Sequence, residues 1–369
     1  MTEQNPPRVA FFLGSFGGGG IERITACLAH QFVKLGVQID LILNRADPTH
    51  LWQMPTETRI VDLKAPNLYL SLPGLVSYLR RDRPIALLAA DHYLNEIALL
   101  AKRLAGVPVR LVVAEHNQLS KTARNATKLK GRLTPLFARY LYPWADGIVA
   151  VSDGVAKDLA ATALLPLDSI ETIYNPVIND RMLANAQEPV AHEWFQSPDI
   201  PVILGVGKLE PQKDFPNLIR AFAKVRQDRP ARLVILGWGP DRPELAALIE
   251  TLGLAADVAL LGYVENPYAY MSKSSVFVLS SAWEGLPTVL IEAMALGIPV
   301  VSTDCESGPA EILAGGQYGY LTPVGDSAAL ADGILQVLGG QLKSIDPHWL
   351  DQFGVEMATQ KYLKILGIA

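Results

Sequence analysis

The stretch SVFVLSSAWEGLPTVLIEAMALGIPVVSTD, residues 275–304, reads as an apolar strand, a turn, a helix and a second apolar strand. A strand followed by a crossover helix and another apolar strand is the unit from which parallel sheets are built. Pro287 suits the first helical position, where its missing N–H costs nothing and its φ is already helical. The stretch also poses a question, because Glu284 stands in the turn before the helix and Glu292 inside it. An unpaired charge away from water costs several kcal/mol, so these carboxylates either occupy a solvated face or bind something. On the residues alone both readings stand. Glu284 could favour the helix dipole while Glu292 is solvated. Alternatively, the amides around Gly285, Leu286 and Thr288 form the positive end of a helix just after a strand, a natural phosphate site.

Working outward, the same alternation recurs on both sides. VAFFLG (9–14), VQIDLILN (37–44), RIVDL (59–63), IALLAA (85–90), VRLVVAEH (109–116) and GIVAVS (147–152) are separated by helical patterns, the first running from Ile21 to Leu35. PVILGVGKL (201–209), ARLVILGWG (231–239), VALLGYV (258–264), SVFVLSS (275–281) and PVVSTD (299–304) repeat the arrangement. Near-continuous apolar strands alternating with helices predict doubly wound parallel sheets covered on both faces. Between the two series, residues 171–201 carry four prolines among polar residues and read as a linker. The predicted organisation is an α/β chain of two tandem Rossmann-like domains, 1–178 and 201–346, with a linker at 179–200 and a cleft between the domains. A final helix in 347–369 could belong to either domain.

Composition fits that plan. At 369 residues, with domains of about 100–200, two domains are expected. Half the residues are hydrophobic and 19% charged, which describes a globular chain. No apolar run approaches the ~20 residues of a membrane-spanning helix, and Val9–Leu13 is too short for a signal-peptide core, so a cytosolic protein is expected. Cys27 and Cys305 have no metal-ligand spacing and read as ordinary buried thiols. The net charge of −5 is unevenly spread: 19 Lys+Arg stand against 15 Asp+Glu up to residue 178, and 13 against 22 beyond it. Such a balance is too weak for a nucleic-acid binder, and no nucleic-acid-binding signature is present.

Other stretches carry candidate chemistry. The glycines Gly17, Gly18, Gly19 and Gly20 allow close backbone approach at a helix start, although neither a dinucleotide nor a P-loop pattern is present. His116 ends an apolar strand at its carboxyl end, where such sheets bind ligands. Lys208 and Lys213 lie at and just after a strand end, where two cations could neutralise a diphosphate. Residues 121–142 hold six Lys and Arg, no acidic residue, and Leu129, Leu133, Leu136, Phe137 and Tyr140 at helical spacing. That stripe either packs on the core or meets an anionic membrane surface, and Gly131 and Pro135 are expected to interrupt the helix.

E-G-L-P-x4-E-A-M-A-x-G-x-P-V-V resembles the E-x7-E signature of retaining glycosyltransferases of family 4, which have the two-domain GT-B fold. GSFGGGGIERI (14–24), AEHN (114–117), VSDGVAKDL (151–159), NPV (175–177), VGKLEPQKDFPNLIRAF (206–222) and SGPAEIL (307–313) are similar to that family's other segments, in its order. The resemblance spans about residues 8–366 and is weakest over 44–80 and 117–145, where acceptor recognition is expected.

It implies transfer of a sugar from a nucleotide-diphosphate donor, with a UDP-hexose or UDP-N-acetylhexosamine favoured, to a hydroxyl of a saccharide or lipid-linked acceptor in bacterial polysaccharide or glycoconjugate assembly. It further implies that Glu292 binds the ribose, that Lys208 and Lys213 hold the diphosphate with the amides of Gly285, Leu286 and Thr288 nearby and Pro287 in the same donor-binding turn, and that Glu284 contacts the donor sugar. His116 would orient that sugar, and Gly18, Gly19 and Gly20 would let the donor approach. Lys208 stands where relatives often have Arg, which exchanges a bidentate fork for a point charge. No D-x-D triplet occurs, so no metal is expected. Peripheral attachment to the inner membrane face is compatible with this reading. A nucleotide-sugar epimerase of the same fold and a catalytically silent sugar-binding subunit are the alternatives.

Overall fold

The structure, a computed structural model, describes residues 6–17, 19–196 and 199–368. It divides into two compact units: the chain up to Val177 together with the residues from Gln352 onward, and Ile178–Asp351.

The first unit contains β1 (Arg8–Leu13), β2 (Gln38–Leu43), β3 (Arg59–Asp62), β4 (Ala86–Ala90), β5 (Arg110–Glu115), β6 (Gly147–Ala150) and β7 (Ile170–Thr172). They pair in parallel in the order β3-β2-β1-β4-β5-β6-β7. The second contains β8 (Val202–Val206), β9 (Arg232–Leu236), β10 (Val258–Gly262), β11 (Val276–Leu279), β12 (Val300–Thr303) and β13 (Tyr320–Thr322), parallel in the order β10-β9-β8-β11-β12-β13. Both are doubly wound sheets, as the alternation predicts. Their strand order reverses between β1 and β4 in one unit and between β8 and β11 in the other. The carboxyl ends of the strands at such a reversal form the crevice where open α/β sheets bind ligands.

Each sheet is buried on both faces. Phe11, Leu28, Phe32, Leu41 and Val149 belong to the core of the first unit, and Ile203, Phe222, Leu233, Val278 and Val301 to that of the second. The sequence reading missed β7 and β13. Both are three-residue strands pairing on one side only, too short for a periodic signal. The segment read as a linker from 171 therefore begins inside β7, and it also contains a helix, Asp180–Asn185, capped by Asn179. The single helix expected over 347–366 is broken. Pro347–Leu350 ends in a 3₁₀ turn at Asp351–Phe353, and Gly354 then caps a new helix, Val355–Ile365. The new helix returns to the first unit, where Ala358, Tyr362, Ile365 and Leu366 join the core.

The basic stretch also departs from expectation. Leu129–Leu141 is one helix that runs through Gly131 and Pro135. Its packed face is made of Gly131, Thr134, Ala138 and Leu141, and a Cβ at residue 131 would press on Ala126 and the Tyr93 hydroxyl. Packing through small residues lets the helix sit close and holds it despite the proline. The large apolar residues face outward: Leu129 is 72% exposed and Tyr140 62%, and Leu133, Leu136 and Phe137 are exposed as well.

Candidate active site

In the second unit the loops after β8 and β11 flank the reversal point, and several hydrogen bonds tie them together. The amide of Ala282 donates to the carbonyl of Gln212 at 2.8 Å, and Ser280 Oγ donates to the carbonyl of Lys213 at 2.7 Å. Gln212 Nε2 reaches the Trp283 carbonyl at 3.0 Å and Glu284 Oε2 at 3.4 Å. Across this bridge Lys213 Nζ lies 2.6 Å from Glu284 Oε1, which also accepts from Ser281 Oγ at 2.7 Å. The pair is shielded, with side chains 17% and 7% exposed for lysine and glutamate.

Two glycines make this geometry possible. A Cβ at Gly207 would stand 3.2 Å from the stem of Lys213, tighter than an ordinary contact, so the bare position leaves the lysine room beside the end of β8. Gly237, at φ +141°, brings the end of β9 against Gly207, where a Cβ would fall 1.8 Å from the Gly207 carbonyl oxygen.

Glu284 is 6% exposed and Glu292 4%, so neither is the solvated surface carboxylate that remained open from sequence. The helix carrying Glu292 is Thr288–Ala295, with Pro287 as its N-cap one residue earlier than expected from the Pro-first rule. Pro287 offers no side-chain cap to the first-turn amides. Gly285, Leu286 and Pro287 are buried in the turn, and Ser307 Oγ donates to the Gly285 carbonyl at 2.7 Å. Lys208 is exposed and takes no part in the Lys213–Glu284 contact. Cys305 is buried nearby, and burial, with Glu284 adding to it, pushes its thiol up to about 12. It is protonated and inert at neutral pH. Cys27 is only partly buried.

In the first unit, His116 follows β5 directly. Burial of the ring pushes its pKa down to about 4 against the pull of Asp91, so it is a neutral imidazole at physiological pH. Gly19 caps the helix Gly20–Lys34 without a side chain, and the carboxylate of Glu22 folds back to within 2.6 Å of where a Cβ on Gly19 would stand. Gly18 lies outside the described residues.

Beside His116 is a group that the sequence reading did not single out. Asp91 pairs with His92 at 2.6 Å, and Asn95 Nδ2 donates to the Ala114 carbonyl at 3.0 Å and to Glu115 Oε1 at 3.1 Å. Tyr142 donates its hydroxyl proton to Glu115 Oε1. Burial raises Glu96 and Glu115 to about 7 each, even with the nearby His92 cation lowering them. Burial opposes the charge on His92, but the Asp91 hydrogen bond and the surrounding carboxylates bring it up to about 9. The signal was present in DHYLNE, two acidic residues and a histidine immediately after an apolar strand. Among the described residues no cluster of His, Cys, Asp and Glu is placed to hold a metal, and no helix is long and apolar enough to cross a membrane.

Residues 18–181 match the family model Glycosyltransferase Family 4, and residues 191–347 match Glycosyl transferases group 1. The chain is 33% identical over 347 residues to the Campylobacter jejuni N-acetylgalactosamine-N,N'-diacetylbacillosaminyl-diphospho-undecaprenol 4-alpha-N-acetylgalactosaminyltransferase, covering 90% of each protein. It is 31% identical to the lipopolysaccharide core biosynthesis glycosyltransferase LpsE of Rhizobium meliloti, covering 95% of this chain and 96% of LpsE. Anabaena HepE, solved in complex with UDP and glucose, superposes with a TM-score of 0.82 at 19% identity, covering 98% of this chain and all of that one. The chain belongs to the GT-B glycosyltransferases of the family 4 type.

Proposed function

We propose that this glycosyltransferase transfers a hexose or N-acetylhexosamine from a UDP donor, with retention of anomeric configuration, to a hydroxyl of a saccharide or lipid-linked acceptor in bacterial glycoconjugate assembly. The observation that carries the reading is the Lys213–Glu284 pair at the strand reversal of the second unit, 2.6 Å apart in a shielded turn. In this reading Lys213 would supply the cation that a departing diphosphate needs, and Lys208, which is exposed, would add a second. Buried Glu292 would take the ribose hydroxyls, and the turn Gly285–Thr288 would offer its amides to the phosphates. Glu284 would contact the donor sugar. With Lys213, Ser281 and Gln212 already on its oxygens, it is poorly placed to act as a nucleophile, which favours a front-face route in which the acceptor proton passes to the departing phosphate. His116, neutral, would both donate to and accept from sugar hydroxyls, and Gly19 and Gly20 would let the donor approach. The lysines take the role that a divalent metal has in other glycosyltransferases.

A second element of the reading is a membrane-bound acceptor. The exposed face of Leu129–Leu141, flanked by Arg124, Lys128, Arg132 and Arg139 with no acidic residue among them, complements an anionic bilayer surface.

The test is a thermal-shift screen against UDP, UDP-hexoses and UDP-N-acetylhexosamines, followed by proton NMR of the product formed with the donor that shifts most. Stabilisation by a UDP-sugar and an axial anomeric linkage from an axial donor are expected. An inverted product overturns the retaining assignment. A changed sugar on an intact nucleotide, formed without acceptor, would indicate an epimerase instead.

A further inference from the structure

The crevice of the first unit, between the ends of β1 and β4, differs in charge from that of the second. Where the second unit presents lysines, this one presents carboxylates: Glu22 folded over Gly19 on the β1 side, and Asp91 at the end of β4. Asp91 is the N-cap of the helix His92–Ala105 but does not cap it. An aspartate in that position ordinarily accepts a first-turn amide. Here the residue sits at φ +102°, and the carboxylate is turned away from the helix to His92 Nδ1. Oδ1 is held by His92, while Oδ2 takes no hydrogen bond among the described residues.

The support behind this carboxylate is buried while the carboxylate itself reaches the surface. The Asp91 side chain is 39% exposed and that of His92 only 12%. Glu96, one turn further along the same helix face, is 6% exposed, and its Oε1 and His92 Nε2 have no hydrogen-bond partner. Buried polar atoms without partners are uncommon and call for a reason. The arrangement holds an imidazolium under a half-exposed aspartate, with Glu96 and Glu115 behind it as counter-charge. A half-exposed carboxylate held from behind in this way suits a neutral polyol, whose hydroxyls donate to it.

We propose that Asp91, oriented by His92, is an acceptor-binding carboxylate whose Oδ2 accepts hydrogen bonds from hydroxyls of the acceptor pyranose. The proposal rests on the transferase reading above and adds to it the group that recognises the second substrate. His92 is a positioning residue: it touches Asp91 rather than sugar.

The experiment compares wild type, Asp91→Asn, His92→Gln and, as a surface control on the exposed helix Arg242–Thr251 of the second unit, Glu250→Gln. Asparagine tolerates positive φ about as well as aspartate, so the backbone is preserved. Affinity for UDP is measured by calorimetry. Transfer from the UDP-sugar found in the donor screen is measured with octyl glycosides of glucose, galactose, N-acetylglucosamine and N-acetylgalactosamine as acceptor probes. UDP affinity within twofold of wild type in all four proteins is expected, with an acceptor KM raised at least tenfold in Asp91→Asn, raised less in His92→Gln and unchanged in Glu250→Gln. An acceptor KM for Asp91→Asn within twofold of wild type overturns the proposal. So does a fall in kcat alone at constant KM, or transfer by wild type to none of the four glycosides while it binds UDP. Failure of the donor reading would show separately, as no UDP binding by any of the proteins.

Discussion

Lys213→Ala removes the cation lying 2.6 Å from Glu284 Oε1, and two losses of different kinds should follow. The first is catalytic. Leaving-group stabilisation is realised chiefly in the transition state, and removing one preorganised electrostatic partner typically lowers rate about 100- to 1000-fold, or about 2.7–4 kcal/mol. The second is structural. Glu284 is left with its side chain 7% exposed and its charge uncompensated, and breaking a buried pair from one side costs about 3–5 kcal/mol. Ser281 and Gln212 still donate to the carboxylate, so the low end, about 3 kcal/mol, is expected. For a unit of this size that is a fall in Tm of about 6–12 °C. The double variant Lys213→Met with Glu284→Gln separates the two, because it leaves no buried charge. Its Tm should recover most of the loss while kcat/KM stays at least 100-fold down, measured by UDP release and by scanning fluorimetry. The reasoning fails if Lys213→Ala keeps kcat/KM within threefold of wild type. It also fails if the double variant recovers activity together with Tm, which would make the lysine a structural counter-ion only.

Three further outcomes are expected. Transfer activity should survive EDTA; loss that added Mg²⁺ or Mn²⁺ restores would refute the assignment of diphosphate stabilisation to the lysines. Binding to anionic liposomes at low salt should fall sharply in an Arg124, Lys128 and Arg139 to Glu triple variant, which spares Lys130 because its ammonium packs 3.7 Å from the Tyr69 ring centroid and 4.2 Å from that of Tyr93; equal, negligible sedimentation of both proteins would reject the membrane surface. Burial holds Glu115 at about 7 against an ordinary value near 4.5, so the folded state binds the extra proton between those values and stability contributed by this group is lost as pH rises through about 7. Glu115→Gln keeps an acceptor for Tyr142 and Asn95 without the charge, so its Tm relative to wild type should climb from pH 5 to pH 8; a pH-independent difference would show that the carboxylate titrates elsewhere.

The class of fold and the candidate charged groups of the second unit are legible in the amino-acid order alone. Parallel strands buried on both faces are largely apolar, so eleven of the thirteen strands among the described residues announce themselves as apolar runs, whereas the three-residue β7 and β13 are too short to show any period. Glu284, Glu292, Lys208 and Lys213 were legible because ionisable residues stand out against apolar strand ends. What the sequence could not decide was which of them meet. Lys213 and Glu284 are 71 residues apart and come together only because β8 and β11 are neighbours at the reversal of strand order, whereas Lys208, five residues from Lys213, points away into solvent. The face that the helix Leu129–Leu141 presents was equally undecided. Its apolar stripe predicted either a core contact or a surface one, and the fold chose the small residues Gly131, Thr134 and Ala138 for packing, since only they allow the helix to approach closely. Asp91 was hidden for a related reason. An aspartate at a helix start reads as an ordinary cap, and only its left-handed backbone and the buried histidine beside it turn the carboxylate outward.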